Sequence, residues 1–277
     1  MRLSASQGPS RLVRRHPYLS AAIIVIALIA VAAAVLTLAS DDSGDESSSA
    51  GAGELLGAIR DAALPPEDVD SEEPPVPGPR FDLARVRSGA EVPVRAAPGG
   101  EVVARLGDRT EFGSPRAMWI AKRRWPWLGV PLADLPNGEL GWIRYDREAL
   151  LVYDTQYSIA GDLSERLVEI RYGNRILRRI PVTVGRPGSE TPPGRYAVTD
   201  ALAGGELGVY YGCCVLALTG HQPNLPAGWI GGDRIAIHGT PGPTGGAASL
   251  GCLRASNESM VALFALVPLG APVLIRA

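Results

Sequence analysis

The stretch IAIHGTPGPTGGAASLGCLR, residues 235–254, carries one histidine, His238, and one cysteine, Cys252, with almost nothing reactive between them. The chain of 277 residues has only three of each. A cysteine attacks carbonyls as its thiolate, which a neighbouring imidazole promotes, and the imidazole needs a third group to orient it. Backbone N–H donors must face the carbonyl oxygen as it becomes an oxyanion. Gly251 lets the backbone turn beside the cysteine without a Cβ in the way. Arg254 is suited to holding a carboxylate. Taken singly, Cys252 reads as an inert buried thiol and His238 as a satisfied strand-end histidine. Together they favour acyl transfer through cysteine, because His221 is the only other histidine beyond the N-terminal segment. Zinc fits poorly: carboxylates and Cys-x-x-Cys spacing are missing here, and the adjacent pair Cys213-Cys214 lacks ordinary ligand spacing. No metal and no cofactor is expected.

The elements that must position this pair are mostly β. Residues 234–238 (RIAIH) read as a strand with His238 at its end. Residues 239–248 are loop by composition, and Ser249-Leu-Gly-Cys252 leads toward a helix capped by Ser256. In that helix Met260, Val261, Leu263, Phe264 and Val267 recur at helical spacing, and Pro268 and Gly270 stop it. Strands are also predicted at 167–172, 176–184, 195–199, 214–218 and 272–276, with a hairpin turn at Gly173-Asn174. Cys213 and Cys214 read as two apolar thiols in a strand, since a bond between neighbours is rare. A redox link from one of them to Cys252 is the lesser alternative.

His238-Gly-Thr240, the Gly/Pro loop and Ser249-x-Gly-Cys-Leu-Arg254 together closely resemble the catalytic signature of L,D-transpeptidases of the YkuD type. The segment 181–200, PVTVGRPGSETPPGRYAVTD, resembles their strand–turn–strand. The resemblance covers about residues 156–277. It implies a β-sandwich-like catalytic domain with one helix, in which Cys252 is the nucleophile and His238 its base. It further implies that the Gly239 carbonyl orients the imidazole, and that Ser249 and the N–H groups around Gly251 and Cys252 shape the oxyanion site. Arg254 would support the loop or bind substrate. The implied donor is a peptidoglycan tetrapeptide stem, attacked at its third, diamino acid residue with release of D-Ala. The acyl group then passes to an amine of another stem, or to water in a carboxypeptidase. Carbapenem-type inhibitors are expected to acylate the cysteine. Leu250 departs from the family, which usually has histidine there. A papain-like endopeptidase would place its cysteine before its histidine, the reverse of this order, and a non-catalytic wall-binding relative is the remaining alternative.

Upstream, residues 81–148 alternate in five short runs, at 91–95, 101–105, 118–122, 127–130 and 141–144, separated by turn signals, which suggests a small barrel. The pattern VRAAPGG … VARLGDRTEF … WPWLGV … LGWIR resembles bacterial Src-homology-3-like (SH3-like) domains. Of Trp125, Trp127 and Trp142, two are expected to fill its core. The catalytic domain is expected over 151–277. Residues 40–80 form an acidic, Pro-rich linker that cannot bury a core. Before it, residues 20–39 (SAAIIVIALIAVAAAVLTLA) match the roughly 20 apolar residues that a membrane-spanning helix needs, so a helix is expected over 18–39. Arg2, Arg11, Arg14 and Arg15 precede it, which puts residues 1–17 in the cytoplasm and the catalytic part on the cell-wall side. A cleaved signal peptide is the alternative, although its apolar core usually runs only about 7–15 residues. The net charge of −2 gives no reason to expect a nucleic-acid partner.

Overall fold

A computed structural model describes residues 77–277. The expected membrane helix at 18–39, its flank at 1–17 and nearly all of the linker lie outside the described residues. Among the described residues no helix is long and apolar enough to cross a membrane.

The chain is mostly β, with a single α-helix among the described residues. The first part contains β1 (Phe81–Val86), β2 (Val92–Arg95), β3 (Val102–Leu106), β4 (Ala117–Trp119), β5 (Lys122–Arg124), β6 (Trp127–Val130), β7 (Gly141–Arg144) and β8 (Leu150–Thr155). They form a three-stranded sheet, β4-β1-β8, and a five-stranded sheet, β3-β2-β7-β6-β5. Alternation finds five runs here. It misses β1 and β8, which pair antiparallel along their whole length, and it merges β4 with β5. Val94, Leu128, Val130 and Ile143 are fully buried between the strands, as period-2 alternation with one inward face requires. Of the three tryptophans only Trp142 is buried; Trp127 is half-buried and Trp125 is 72% exposed. Trp125 lies in the turn joining β5 to β6 and packs on Tyr145, so it has no core to enter.

The second part contains β9 (Tyr157–Asp162), β10 (Leu167–Tyr172), β11 (Arg175–Pro181), β12 (Val184–Gly185), β13 (Gly194–Ala203), β14 (Cys214–His221), β15 (Arg234–Thr240), β16 (Ala247–Ser249), β17 (Leu253–Ser256), α1 (Asn257–Leu266) and β18 (Pro272–Arg276). Eight of these strands form one sheet in the order β11-β10-β9-β18-β13-β14-β15-β17, and β12 pairs with β16. The predicted cap is present: Ser256 Oγ accepts from the Ser259 N–H at 3.2 Å. Met260 and Leu263 form the buried stripe of α1, with Val267 buried at its C-cap, and the helix packs on β14, β15 and β17. Val261 and Phe264 stay partly exposed, so the apolar face is narrower than the sequence suggests.

The two parts meet over a small apolar contact and several polar ones. Trp119 packs with Leu83 and Ala197, and the Arg195 guanidinium lies 4.8 Å above the Trp119 ring. Thr110 Oγ1 donates to the buried Asp200 carboxylate, and Arg234 pairs with Glu111.

Candidate active site

Sheet register brings the cysteine to the histidine. The segment after His238 does not run straight into a helix. It returns as β17, a short strand parallel to β15, with Ile237 opposite Leu253 and His238 opposite Arg254. Cys252 therefore comes level with Ala236 at the start of β17. Residues opposite one another, and residues two apart along a strand, share a sheet face. Cys252, Ala236 and His238 thus face the same side. A parallel pair needs a long crossover, which is the role of the Gly/Pro loop. The helix starts only at Asn257, so its N-terminus does not activate the thiol.

His238 is buried, with its Nδ1 facing the Gly239 carbonyl at 2.7 Å. A carbonyl only accepts, so Nδ1 carries the proton and Nε2 keeps its lone pair. Burial pushes the imidazole below its usual 6.5, Arg254 lowers it further, and the bond to Gly239 works against both. Burial also pushes the Cys252 thiol above its usual 9.0, against a hydrogen bond from the backbone at Ala236 and the Arg254 charge. Both shifts favour an uncharged thiol and a neutral imidazole lining the same cavity, and the unprotonated Nε2 is able to accept a proton. The ring of Tyr211 lies 5.0 Å from that of His238.

The loop around the cysteine is held from several sides. Ser249, fully buried, donates its hydroxyl to the Cys252 carbonyl at 2.6 Å and accepts from the Gly251 N–H at 3.0 Å. The Gly251 donor therefore serves the loop rather than an oxyanion. Gly251 has φ +113°, and a Cβ there would lie 2.2 Å from Gln222 Nε2. Gln222 is buried, and its Nε2 faces the carbonyls of Leu250, Ser189 and Glu190 at 3.3, 3.2 and 2.9 Å. Its Oε1 accepts from the Asn224 N–H at 2.9 Å, which fixes the orientation of the amide. Leu250 thus takes part in this network through its backbone, whatever its side chain. Gly239 is confined in a similar way, because Asn257 Oδ1 lies 2.4 Å from where its Cβ would be.

Cys252, His238, Arg254 and Leu250 line one cavity of about 360 Å³, with Tyr210, Tyr211 and Trp229 also in its wall. Arg254 is tied through its backbone to Thr183, with bonds of 2.9 and 2.8 Å. It forms no ion pair among the described residues, which leaves its guanidinium available to an anion. No group of three potential metal ligands occurs among the described residues. Cys213 and Cys214 are joined by a disulfide, and Cys252 is the free cysteine. This corrects the reading of two apolar thiols in a strand. Only Cys214 belongs to β14, while Cys213 sits in the turn after Gly212, with its N–H held by Asn257 Oδ1 at 3.0 Å. The two side chains are therefore not forced to opposite faces. Gln222, Tyr211 and Asn257 escape sequence reading because none belongs to a motif and each acts through tertiary contact.

The site thus has the parts of a cysteine acyltransferase: a thiol, a base of fixed tautomer and a cavity with a free guanidinium. Residues 156–275 match the YkuD family, the L,D-transpeptidase catalytic domain, and this segment belongs to it. YkuD of Bacillus subtilis (strain 168) is 28% identical over 128 residues, which span 45% of this chain and 68% of that protein. YkuD of Bacillus licheniformis is 29% identical over 118 residues, 41% of this chain and 62% of that one. The chain thus spans about two thirds of the length of these relatives. An L,D-transpeptidase structure from Mycobacterium smegmatis matches 57% of this chain and 80% of its own, at 14% identity and a TM-score of 0.37. L,D-transpeptidase 3 from Mycobacterium tuberculosis, solved with a faropenem-derived adduct, matches 50% and 73% at 15% identity and a TM-score of 0.33.

Proposed function

We propose that this protein is an exported, membrane-anchored L,D-transpeptidase that cross-links peptidoglycan. The observation that carries the reading is that Cys252 and His238 share one sheet face and one cavity, with the imidazole proton fixed on Nδ1 by Gly239. In this reading His238 Nε2 takes the thiol proton as Sγ attacks the carbonyl of the third residue of a tetrapeptide stem. The tetrahedral intermediate collapses and expels D-Ala, which leaves with the proton returned by His238. An amine of a second stem then attacks the thioester, releases Cys252 and forms the cross-link. Arg254 holds a stem carboxylate, and Ser249 and Gly251 keep the loop shaped so that backbone N–H groups meet the oxyanion. The apolar segment at 18–39 tethers the catalytic part on the cell-wall side, and residues 81–148 act as an SH3-like module.

The test is intact-mass analysis after exposure to imipenem, together with D-Ala release from tetrapeptide stems. One adduct is expected on the wild type and none on Cys252→Ala. Absence of both adduct and D-Ala release would refute the reading.

A further inference from the structure

The N-terminal β part touches the catalytic domain directly behind the nucleophile loop. Asn137, in the turn between β6 and β7, donates its side-chain amide to the His221 carbonyl at 2.7 Å and accepts from the His221 N–H at 2.8 Å. The His221 ring is held as well, with Nε2 facing the Ala133 carbonyl at 2.6 Å and Nδ1 facing Asp233 at 3.0 Å. The next residue is Gln222, whose amide binds the Leu250 carbonyl and fills the space beside Gly251. One continuous set of polar contacts therefore runs from the turn between β6 and β7 to the peptide next to Cys252.

We infer that the N-terminal β part is a working component of the active site: through Asn137, His221 and Gln222 it fixes the loop that carries the nucleophile. Gln222 is a positioning residue. Its two N–H bonds reach three carbonyls from two chain segments, so a small shift of residue 222 moves the Leu250–Gly251 peptide. Asn137 grips both backbone groups of His221 and so fixes where residue 222 begins. A misplacement of about 1 Å at a reacting centre costs up to about a hundredfold in rate. Asn137 is exposed, so truncating it leaves the core of either part intact.

The experiment compares the full-length protein with Asn137→Ala, Gln222→Leu and the double variant. Hydrogen exchange of the peptide spanning residues 249–253 is expected to quicken at least about fivefold in each single variant. Saturation kinetics of imipenem acylation are expected to show a limiting rate about tenfold lower with unchanged half-saturation. The double variant should match the worse single variant, since both act on one loop. Unchanged exchange at 249–253 in Asn137→Ala overturns the inference, as does a limiting rate equal to that of the wild type. The acylation arm rests on the transpeptidase reading. If the wild type itself is not acylated, that reading fails, and hydrogen exchange still decides the role of the N-terminal β part.

Discussion

Substituting Gly251 by alanine separates two reasons for a glycine beside Cys252. The first is backbone conformation: at φ +113° an L-residue is strained by about 1–3 kcal/mol. The second is the buried amide of Gln222, whose Nε2 lies 2.2 Å from the new Cβ and must move. Moving it breaks the bonds to Leu250, Ser189 and Glu190 in a buried site, at a cost of about 1–3 kcal/mol for an unsatisfied donor. The sum is about 2–6 kcal/mol, a large part of the stability of an ordinary domain. Gly245 provides the control, with φ +102° and nothing within 4 Å of its Cβ position. Gly245→Ala should pay only the strain. Urea denaturation monitored by fluorescence gives both values. Gly251→Ala should exceed Gly245→Ala by at least about 1 kcal/mol, and this excess should shrink in a Gln222→Ala background. Equal costs for the two glycines would refute the packing argument.

Other outcomes follow from the same geometry. Alkylation of Cys252 by iodoacetamide should be slow at neutral pH and accelerate only above pH 9.0, because burial raises the thiol. A rate already at its plateau at pH 7 would mean a preformed thiolate. Folding stability should depend on both site residues. The His238 contribution is fully present above about 6.5 and lost as the pH falls through its lowered value. The Cys252 contribution is fully present below about 9.0 and lost as the pH rises through its raised value. Cys252→Ala should therefore flatten the alkaline limb of a denaturation–pH series and leave the acid limb unchanged. Leu263→Ala, which empties a fully buried position of α1, should cost about 2–5 kcal/mol in the same denaturation assay.

Much of this protein was legible in order. The proposed catalytic pair stood out because His238 and Cys252 are chemically rare residues joined by small ones. The strands β6, β7, β10 and β18 appear with their predicted bounds, as apolar runs bracketed by turn residues allow. The Ser256 cap was legible because capping is a local event between residues three apart. What order could not give was pairing. β1 and β8 lie some 60 residues apart in the chain and declare themselves only by hydrogen-bonding each other. β17 is a strand because β15 lies beside it, and that parallel register, rather than the loop's flexibility, turns Cys252 to the face of His238. The sequence by itself determined which groups can do chemistry and roughly where the backbone extends, since those depend on side-chain type and near-neighbour pattern. Tertiary structure alone decided which strand the residues after Cys252 join, the hold of Gln222 on the Leu250 carbonyl, and the reach of Asn137 to that loop through His221 and Gln222. Each of these joins atoms far apart in the chain that meet only when the sheets close, and no local pattern records it.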